Sequence, residues 1–157
     1  MPGACFECGL CVSNCPAKAI KQEAFSDEKL LDDIKGDETF VFACERSAFL
    51  AEQEARRLGM GLNQKVRIQP VRCTGRIGIE NIFGLLLKGA RSVIVAGCHE
   101  GNCRSMDSNI FAKRRIEHTL WDLGIDSGKL NFFSIAANEP DQFKKLTSDL
   151  ERKDNKP

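Results

Sequence analysis

Four cysteines lie within the first fifteen residues of the chain. They have the spacing C-x2-C-x2-C-x3-C and a proline follows at once; the residues are Cys5, Cys8, Cys11, Cys15 and Pro16. Bacterial-type ferredoxins hold a [4Fe–4S] cluster with this run, because two-residue gaps let one tight loop present successive thiolates to the irons of a single cubane. Zinc sites instead use short C-x2-C pairs, and one pair lies far from the other in the sequence. The run therefore predicts a [4Fe–4S] cluster.

The chain carries a single run of this kind. In two-cluster ferredoxins, the fourth cysteine of each run binds the other cluster. Two hypotheses follow: a partner chain completes this half-ferredoxin, or Cys15 or another thiol of this chain closes the site. If the isolated chain binds a full four-iron cluster through its own four cysteines, the first hypothesis is wrong.

The other four cysteines follow apolar stretches that have the pattern of β-strands. Cys44 ends the stretch that begins at Thr39, Cys73 follows residues 66–71, and Cys98 and Cys103 follow residues 92–96. Ligands of a parallel sheet bind beyond the carboxyl ends of its strands. We therefore expect these cysteines at one edge of the sheet, where four thiolates would bind zinc or an iron–sulfur cluster. His99 is expected beside them as a hydrogen-bond donor.

Three other interpretations of this second set stay open. Free cysteine is often buried as a small hydrophobic residue, so one or more of the four could be packed in the core without binding a metal or cluster. An even number of cysteines also suits disulfide bonds, although these need an oxidising compartment, for which the sequence shows no sign. A reactive thiol such as Cys98 would make the chain a small enzyme, but no Ser-His-Asp arrangement or paired-carboxylate motif stands out.

Apolar periodicity predicts the elements that position these cysteines. A short linker helix is expected over residues 26–36, with Ser26 as its N-cap and Gly36 as its stop. Strands then alternate with helices: strands over residues 40–43, 66–71, 92–96 and 130–135, and helices over residues 47–58, 79–87, 108–123 and 141–150. This alternation predicts an α/β fold with a parallel sheet of about four strands and flanking helices.

The same periodicity predicts which helix faces are buried. Residues at helical spacing are expected to face the sheet: Ala48, Ala51, Ala55 and Leu58 in one helix, Ile79, Ile82, Phe83, Leu86 and Leu87 in the next, and Ala112, Ile116, Leu120 and Leu123 in the third. Basic residues are expected near the exposed side of the third helix, namely Lys113, Arg114 and Arg115. With Arg104 they would form either a solvated face or a docking patch for an acidic partner.

The overall charge and hydropathy exclude several classes of protein. A formal net charge of +1 over 157 residues gives no electrostatic case for binding nucleic acid or an anionic membrane. No apolar run approaches the roughly 18 residues that span a bilayer, and the N-terminus does not have the pattern of a secretory signal. We therefore expect a cytoplasmic protein that does not span a membrane. A cytoplasm keeps thiols reduced, which favours metal or cluster ligands over disulfides.

Several motifs resemble the delta-subunit family of methyl-viologen-reducing hydrogenases. They are Cys73-Thr-Gly-Arg76, the stretch Val93-Ile-Val-Ala-Gly-Cys98-His-x-Gly-x-Cys103, and Arg114-Arg115. Members of that family are iron–sulfur subunits that pass electrons to heterodisulfide reductase. The resemblance covers about residues 39–143 and implies a [2Fe–2S] cluster held by cysteines, here Cys44, Cys73, Cys98 and Cys103. The chain departs from the family pattern at Ser47, where a second cysteine is frequent, and at Arg104-Ser105, where His-Tyr is frequent.

The N-terminal segment resembles the last ferredoxin run in the A-type subunit of heterodisulfide reductase. In fused proteins of this kind, such a run directly precedes a delta-type domain. The predicted organisation is a ferredoxin-type [4Fe–4S] segment and linker helix over residues 1–36, a delta-subunit-like α/β domain over residues 37–152, and a polar tail over residues 153–157.

The resemblance implies an electron-transfer subunit of an oxidoreductase complex, with no catalytic residues and no substrate pocket of its own. Electrons would pass between the [2Fe–2S] and [4Fe–4S] clusters. The expected partners are hydrogenase or other dehydrogenase subunits and a flavoprotein like the A-type subunit of heterodisulfide reductase. The alternative is a structural or interaction module that carries one [4Fe–4S] cluster and is stabilised by zinc in the second set.

Overall fold

A sheet of four parallel strands forms the centre of the molecule. The computed structural model describes residues 5–31, 36–126 and 128–154. The strands are β1 (Thr39–Cys44), β2 (Val66–Val71), β3 (Ser92–Gly97) and β4 (Leu130–Ser134). They lie side by side in the order β2–β1–β3–β4, and every neighbouring pair is parallel. The predicted α/β fold is therefore confirmed.

Six α-helices accompany the sheet in the described residues. They are α1 (Leu10–Asn14), α2 (Asp27–Leu31), α3 (Ala48–Arg57), α4 (Ile79–Leu87), α5 (Ser108–Leu123) and α6 (Pro140–Asp154). Helices α3, α4 and α5 each connect two strands, which returns the chain to the same direction. Helix α6 continues past residue 150, where it was predicted to end. Residues 32–35 of the predicted linker helix and residues 155–157 of the predicted tail lie outside the described residues.

The core lies on both faces of the sheet. Alternate residues of β1 point to opposite faces: Phe40 and Phe42 pack with α4 and α5, whereas Val41 and Ala43 pack with α3 and α6. Strands β1 and β3 are buried along their whole length, while the edge strands β2 and β4 are partly exposed. The two fully buried central strands therefore position Cys44 and Cys98. None of the helices in the described part of the chain is long and apolar enough to cross a membrane.

Three predicted helix faces need correction near their ends. In α4, Ile82 and Leu85 are the fully buried aliphatic side chains, whereas Ile79 is exposed and Leu87 is 88% exposed. Leu123 of α5 and Leu58 after α3 are exposed as well. Each of these residues stands in the first or last turn of its helix or just beyond it. No further turn packs the side chain against the sheet there.

Candidate functional site

The second set of cysteines lies at the carboxyl edge of the sheet. Cys44 is the last residue of β1, Cys98 directly follows β3, and Cys73 lies two residues beyond β2. Because β1 lies between β2 and β3, these cysteines come from three adjacent strands. Cys103 is in the loop that connects Cys98 to α5.

The thiols of Cys44 and Cys98 are in contact. Their Sγ atoms are 3.8 Å apart and both side chains are buried. Two thiolates bound tetrahedrally to one metal ion, each at about 2.3 Å, would also lie about 3.8 Å apart. The pair therefore has the spacing of two ligands of one metal ion. All eight cysteines are free thiols.

The buried thiols change one another's ionisation. The hydrogen bond from Cys98 lowers the pKa of Cys44 to about 7 against the opposing effect of burial, and the same contact, with burial, raises the pKa of Cys98. Burial raises the pKa of Cys73 to about 11, with contributions from the charges of Cys103 and Cys8. The cysteines of the second set are therefore close enough to change one another's pKa. In the described ranges, however, no three His, Cys, Asp or Glu side chains stand as a ready metal site.

Unpaired hydrogen-bond donors surround this edge of the sheet. Arg46 Nη1 and Arg72 Nε are buried atoms without a hydrogen-bond partner among the residues that the structure describes, and the hydroxyl of Ser47 interacts with the thiols of Cys44 and Cys98. They belong to the loops that follow Cys44 and precede Cys73. Sulfur atoms of metal–thiolate centres accept hydrogen bonds, which orient the ligands and tune the metal. The thiols and the free donors together fit an anionic thiolate-bound centre, either zinc or an iron–sulfur cluster.

Asn109 fixes the loop that carries Cys98 and Cys103. Its Nδ2 donates to the carbonyl of Cys98 at 3.0 Å and to that of His99 at 3.1 Å. This residue was not predicted, because a polar side chain in the first turn of a helix gives no sign of such a role. The ring of His99, expected as a donor to the site, pairs through Nε2 with Glu139 Oε2 at 2.8 Å.

The cysteines of the first run have different surroundings. Cys5 and Cys11 line a cavity of about 510 Å³ together with apolar side chains, among them Val12, Ile20 and Phe25. The backbone N–H groups of residues 17–20, that of Ala19 above all, lower the pKa of Cys15. Cys8 is close enough to Cys73 to raise its pKa. The charge of one cysteine of the first run therefore reaches the second set.

The turn after Cys73 joins the two regions. Residues Thr74–Arg76 form a single 3₁₀ turn, and the carbonyl of Gly75 accepts a hydrogen bond from Ser13 Oγ of α1 at 2.6 Å. On the other side, a Cβ at Gly75 would lie 2.9 Å from Cβ of Ser108 in α5. The turn therefore fits between α1 and α5 because residue 75 has no side chain.

Two arginines of the α/β domain reach the N-terminal segment. The buried Arg76 donates to Asp27 Oδ1 at 2.7 Å and to the carbonyl of Phe25 at 3.0 Å. Arg115 donates to the carbonyl of Ile77 and to Ser13 and Asn14 of α1. Arg115, which was predicted near the exposed side of α5, is half-buried because α1 lies against it and supplies acceptors.

Comparison with known proteins decides the family. The family model described as methyl-viologen-reducing hydrogenase, delta subunit, matches residues 39–155, from the start of β1 to beyond the described end of α6. The chain belongs to this hydrogenase delta-subunit family. The resemblance predicted from the cysteine motifs is confirmed.

Relatives of this delta-subunit chain come from two kinds of protein. The vhu iron-sulfur subunit of the F420-non-reducing hydrogenase of Methanopyrus kandleri is 36% identical over 106 residues, which are 66% of this chain and 80% of the relative. The iron-sulfur subunit of the same kind of hydrogenase from Archaeoglobus profundus is 30% identical over 112 residues, or 69% and 82%. The A-type subunit of the ferredoxin:CoB-CoM heterodisulfide reductase of Methanosarcina mazei is 26% identical over 136 residues, which are 80% of this chain but 17% of that relative.

Proposed function

We propose that this chain is an electron-transfer subunit that carries two iron–sulfur clusters. The first run, Cys5, Cys8, Cys11 and Cys15, would hold a [4Fe–4S] cluster. The second set, Cys44, Cys73, Cys98 and Cys103, would hold a [2Fe–2S] cluster. Such clusters, when bound, supply one-electron relay at potentials set by charge, hydrogen bonds and exposure.

The observation that carries this proposal is the packing of the first run against the turn that follows Cys73. Ser13, two residues after Cys11, bonds to Gly75, two residues after Cys73. An electron relay requires two redox centres held at a short, fixed separation. A zinc site that only stabilises the fold has no need of a second centre beside it.

The residues of the chain would bind and tune these centres. The thiolates of each set would be the ligands. The hydroxyl of Ser47 and the free donors of Arg46 and Arg72 would give hydrogen bonds to sulfur at the second site. Donors of this kind stabilise the reduced, more negative state and therefore raise the reduction potential.

We propose hydrogenase or other dehydrogenase subunits as partners on one side and a flavoprotein like the A-type subunit of heterodisulfide reductase on the other. The names of the relatives support this, since they are hydrogenase iron-sulfur subunits and a subunit of heterodisulfide reductase. We propose the cytoplasm as the location, since thiolate ligands need a reducing compartment.

The test is anaerobic purification followed by iron, sulfide and zinc analysis, with EPR spectroscopy of the dithionite-reduced protein. About six irons per chain, with both a [2Fe–2S] and a [4Fe–4S] signal, would support the two-cluster relay. About two irons would mean that the first run needs a partner chain to hold its cluster.

The alternative is a structural module with zinc in the second set. The distance of 3.8 Å between the Sγ atoms of Cys44 and Cys98 favours it as much as it favours iron. About four irons and one zinc per chain, with a colourless second site that resists dithionite, would replace the relay by this alternative.

A further inference from the structure

Arg76 lies against both cysteine loops. Its backbone N–H bonds to the carbonyl of Cys73 at 3.0 Å. Its side chain packs against Gly9, which lies between Cys8 and Cys11. A Cβ added at Gly9 would be 2.7 Å from Arg76 Cδ and 2.8 Å from Arg76 Cβ. Beyond this contact the guanidinium ends at Asp27, Phe25 and Asn81. Two of these three partners belong to the N-terminal segment.

Arg115 contacts α1 from the other side of the turn Thr74–Arg76. Its guanidinium bonds to Ser13 Oγ at 3.1 Å, to Asn14 Oδ1 at 2.8 Å, and also to the carbonyl of Ile77. Ser13 in turn donates to the carbonyl of Gly75 at 2.6 Å. A continuous chain of hydrogen bonds thus runs from α5 through α1 to the turn after Cys73.

A planar guanidinium with several fixed acceptors restricts position more than a flexible ammonium does. Arg76 is buried and Arg115 is half-buried, so salt screens the contacts of Arg76 least. Arg76 is fully buried, and burial lowers the pKa of Arg115, although the group stays protonated. These contacts therefore have the strength and the geometry to fix one element against another.

We propose that Arg76 and Arg115 are positioning residues that set the distance between the two cysteine sets. They would make the N-terminal run and the α/β domain a single electron-transfer unit within one chain. The proposal rests on the proposed function, because it takes both sets to carry clusters.

The experiment compares Arg115→Gln with Arg114→Gln in the complete, anaerobically purified chain. Both variants remove one positive charge from neighbouring positions of α5, but Arg114 is exposed whereas Arg115 contacts α1. Two readouts are taken besides iron content. One is the magnetic interaction between the two reduced clusters in EPR spectra, which depends on their separation. The other is the hydrogen-exchange rate of the backbone amides of α1.

We expect Arg115→Gln to retain both cluster signals and to weaken the magnetic interaction between them. The α1 amides should exchange about ten- to a hundredfold faster, since hydrogen bonds to a charged group are lost. Arg114→Gln should match the wild type in both readouts. Arg76→Gln, from the other side of the turn, should act like Arg115→Gln. If Arg115→Gln or Arg76→Gln accumulates poorly, the lysine variant at the same position replaces it. Lysine keeps the positive charge but cannot make the paired hydrogen bonds of a planar guanidinium.

The inference would be overturned if both Arg115→Gln and Arg76→Gln had the magnetic interaction between clusters and the α1 hydrogen-exchange rates of the wild type. The proposed function would remain intact in that case. A wild-type chain that contains one cluster would overturn the proposed function and the claim about cluster separation together. In that case the exchange rates would show only whether the arginines hold α1.

Discussion

Arg76 and Asp27 form an ion pair 2.7 Å long in which the arginine side chain is 2% exposed and the aspartate side chain 49% exposed. A buried cation costs free energy unless its partners satisfy it. Asp27 and the carbonyl of Phe25, both in the N-terminal segment, are two of the partners of Arg76. The α/β domain therefore buries this charge at low cost only while the segment is docked, and we expect the two to unfold together.

Replacement of Asp27 by asparagine should destabilise the chain. The free energy of unfolding should fall by about 1–3 kcal/mol, since a buried donor loses a charged acceptor. Loss of a partner from a fully buried pair would cost about 3–5 kcal/mol, but Asp27 is half exposed and water replaces part of the contact. Urea unfolding under anaerobic conditions measures the difference. Glu28→Gln, which removes the same charge from an exposed position of α2, is the control, and an equal loss there would contradict this role of the pair.

The same pair predicts an acid dependence. Partial burial raises the pKa of Asp27, but hydrogen bonds from Arg76 and Asn81 outweigh it and hold the pKa below its ordinary value. A carboxylate of this kind stabilises the folded state above its unfolded pKa of about 3.9, and the contribution is lost as pH falls through the folded pKa. The stability difference between wild type and Asp27→Asn should therefore shrink below about pH 4. A difference that stays constant from neutral pH to that range would argue against the ion pair.

The two cysteine sets should lose their clusters independently. If the assignment is right, Cys11→Ala should lower the iron content from about six to about two per chain and abolish the [4Fe–4S] signal. Cys98→Ala should leave about four irons and abolish the [2Fe–2S] signal. Each variant is the control for the other, in iron analysis and EPR spectroscopy. Loss of both signals in both variants would show that the sets form one interdependent site.

Asn109 should be required to keep the loop around Cys98 in place. Asn109→Ala removes the buried amide that donates to the carbonyls of Cys98 and His99. We expect a loss of about 1–3 kcal/mol in the free energy of unfolding, because the buried carbonyl of Cys98 loses its side-chain donor. The carbonyl of His99 keeps the backbone N–H of Asn102 as a donor at 3.1 Å. If the second set binds iron as proposed, its iron content should fall as well. Asn102→Ala, at an exposed position in the same loop, should change neither the stability nor the iron content. Equal losses in the two variants would exclude a special role of Asn109 in holding the loop.

Gly75 should tolerate no side chain. The added Cβ of Gly75→Ala would meet Cβ of Ser108 at 2.9 Å, so α5 or the turn has to move. Overpacking of this kind costs about 1–3 kcal/mol. Ser108→Gly in the same chain should restore part of the loss, which a double-mutant cycle measures. Gly61→Ala, where nothing lies within 4 Å, should leave the stability unchanged, and a cost at Gly61 equal to that at Gly75 would refute the clash.

Much of the α/β fold could be predicted from local pattern. Buried parallel strands are continuous apolar runs, and those ending at Cys44 and before Cys98 were predicted to within one or two residues. The position of the second cysteine set at the carboxyl edge followed from the direction of the strands. The buried faces were less predictable at helix ends, where Leu87 and Leu123 keep the helical period but have no neighbouring layer to contact.

The docking of the N-terminal segment could not be predicted. Arginine is rarely buried, so neither Arg76 nor Arg115 gave a local sign that it would bind a segment roughly fifty or more positions earlier in the chain. Burial of both depends on acceptors such as the carbonyl of Phe25 and the side chain of Asn14. Those acceptors meet the guanidinium groups only in the folded chain. Arg76 stands in the Cys73-Thr-Gly-Arg motif, which served as a family signature and gave no indication of its contacts.

The spread of the cysteines along the chain has a consequence for how the protein is made. The first run occupies residues 5–15, so a cluster could be inserted as soon as that short stretch has left the ribosome. The second set extends from Cys44 to Cys103 and exists as a site only after β1, β2 and β3 have paired. Pairing of distant parallel strands is slow compared with local structure formation. If both sets carry the proposed clusters, the two centres should therefore mature in sequence, the N-terminal one first and the one at the carboxyl edge of the sheet last.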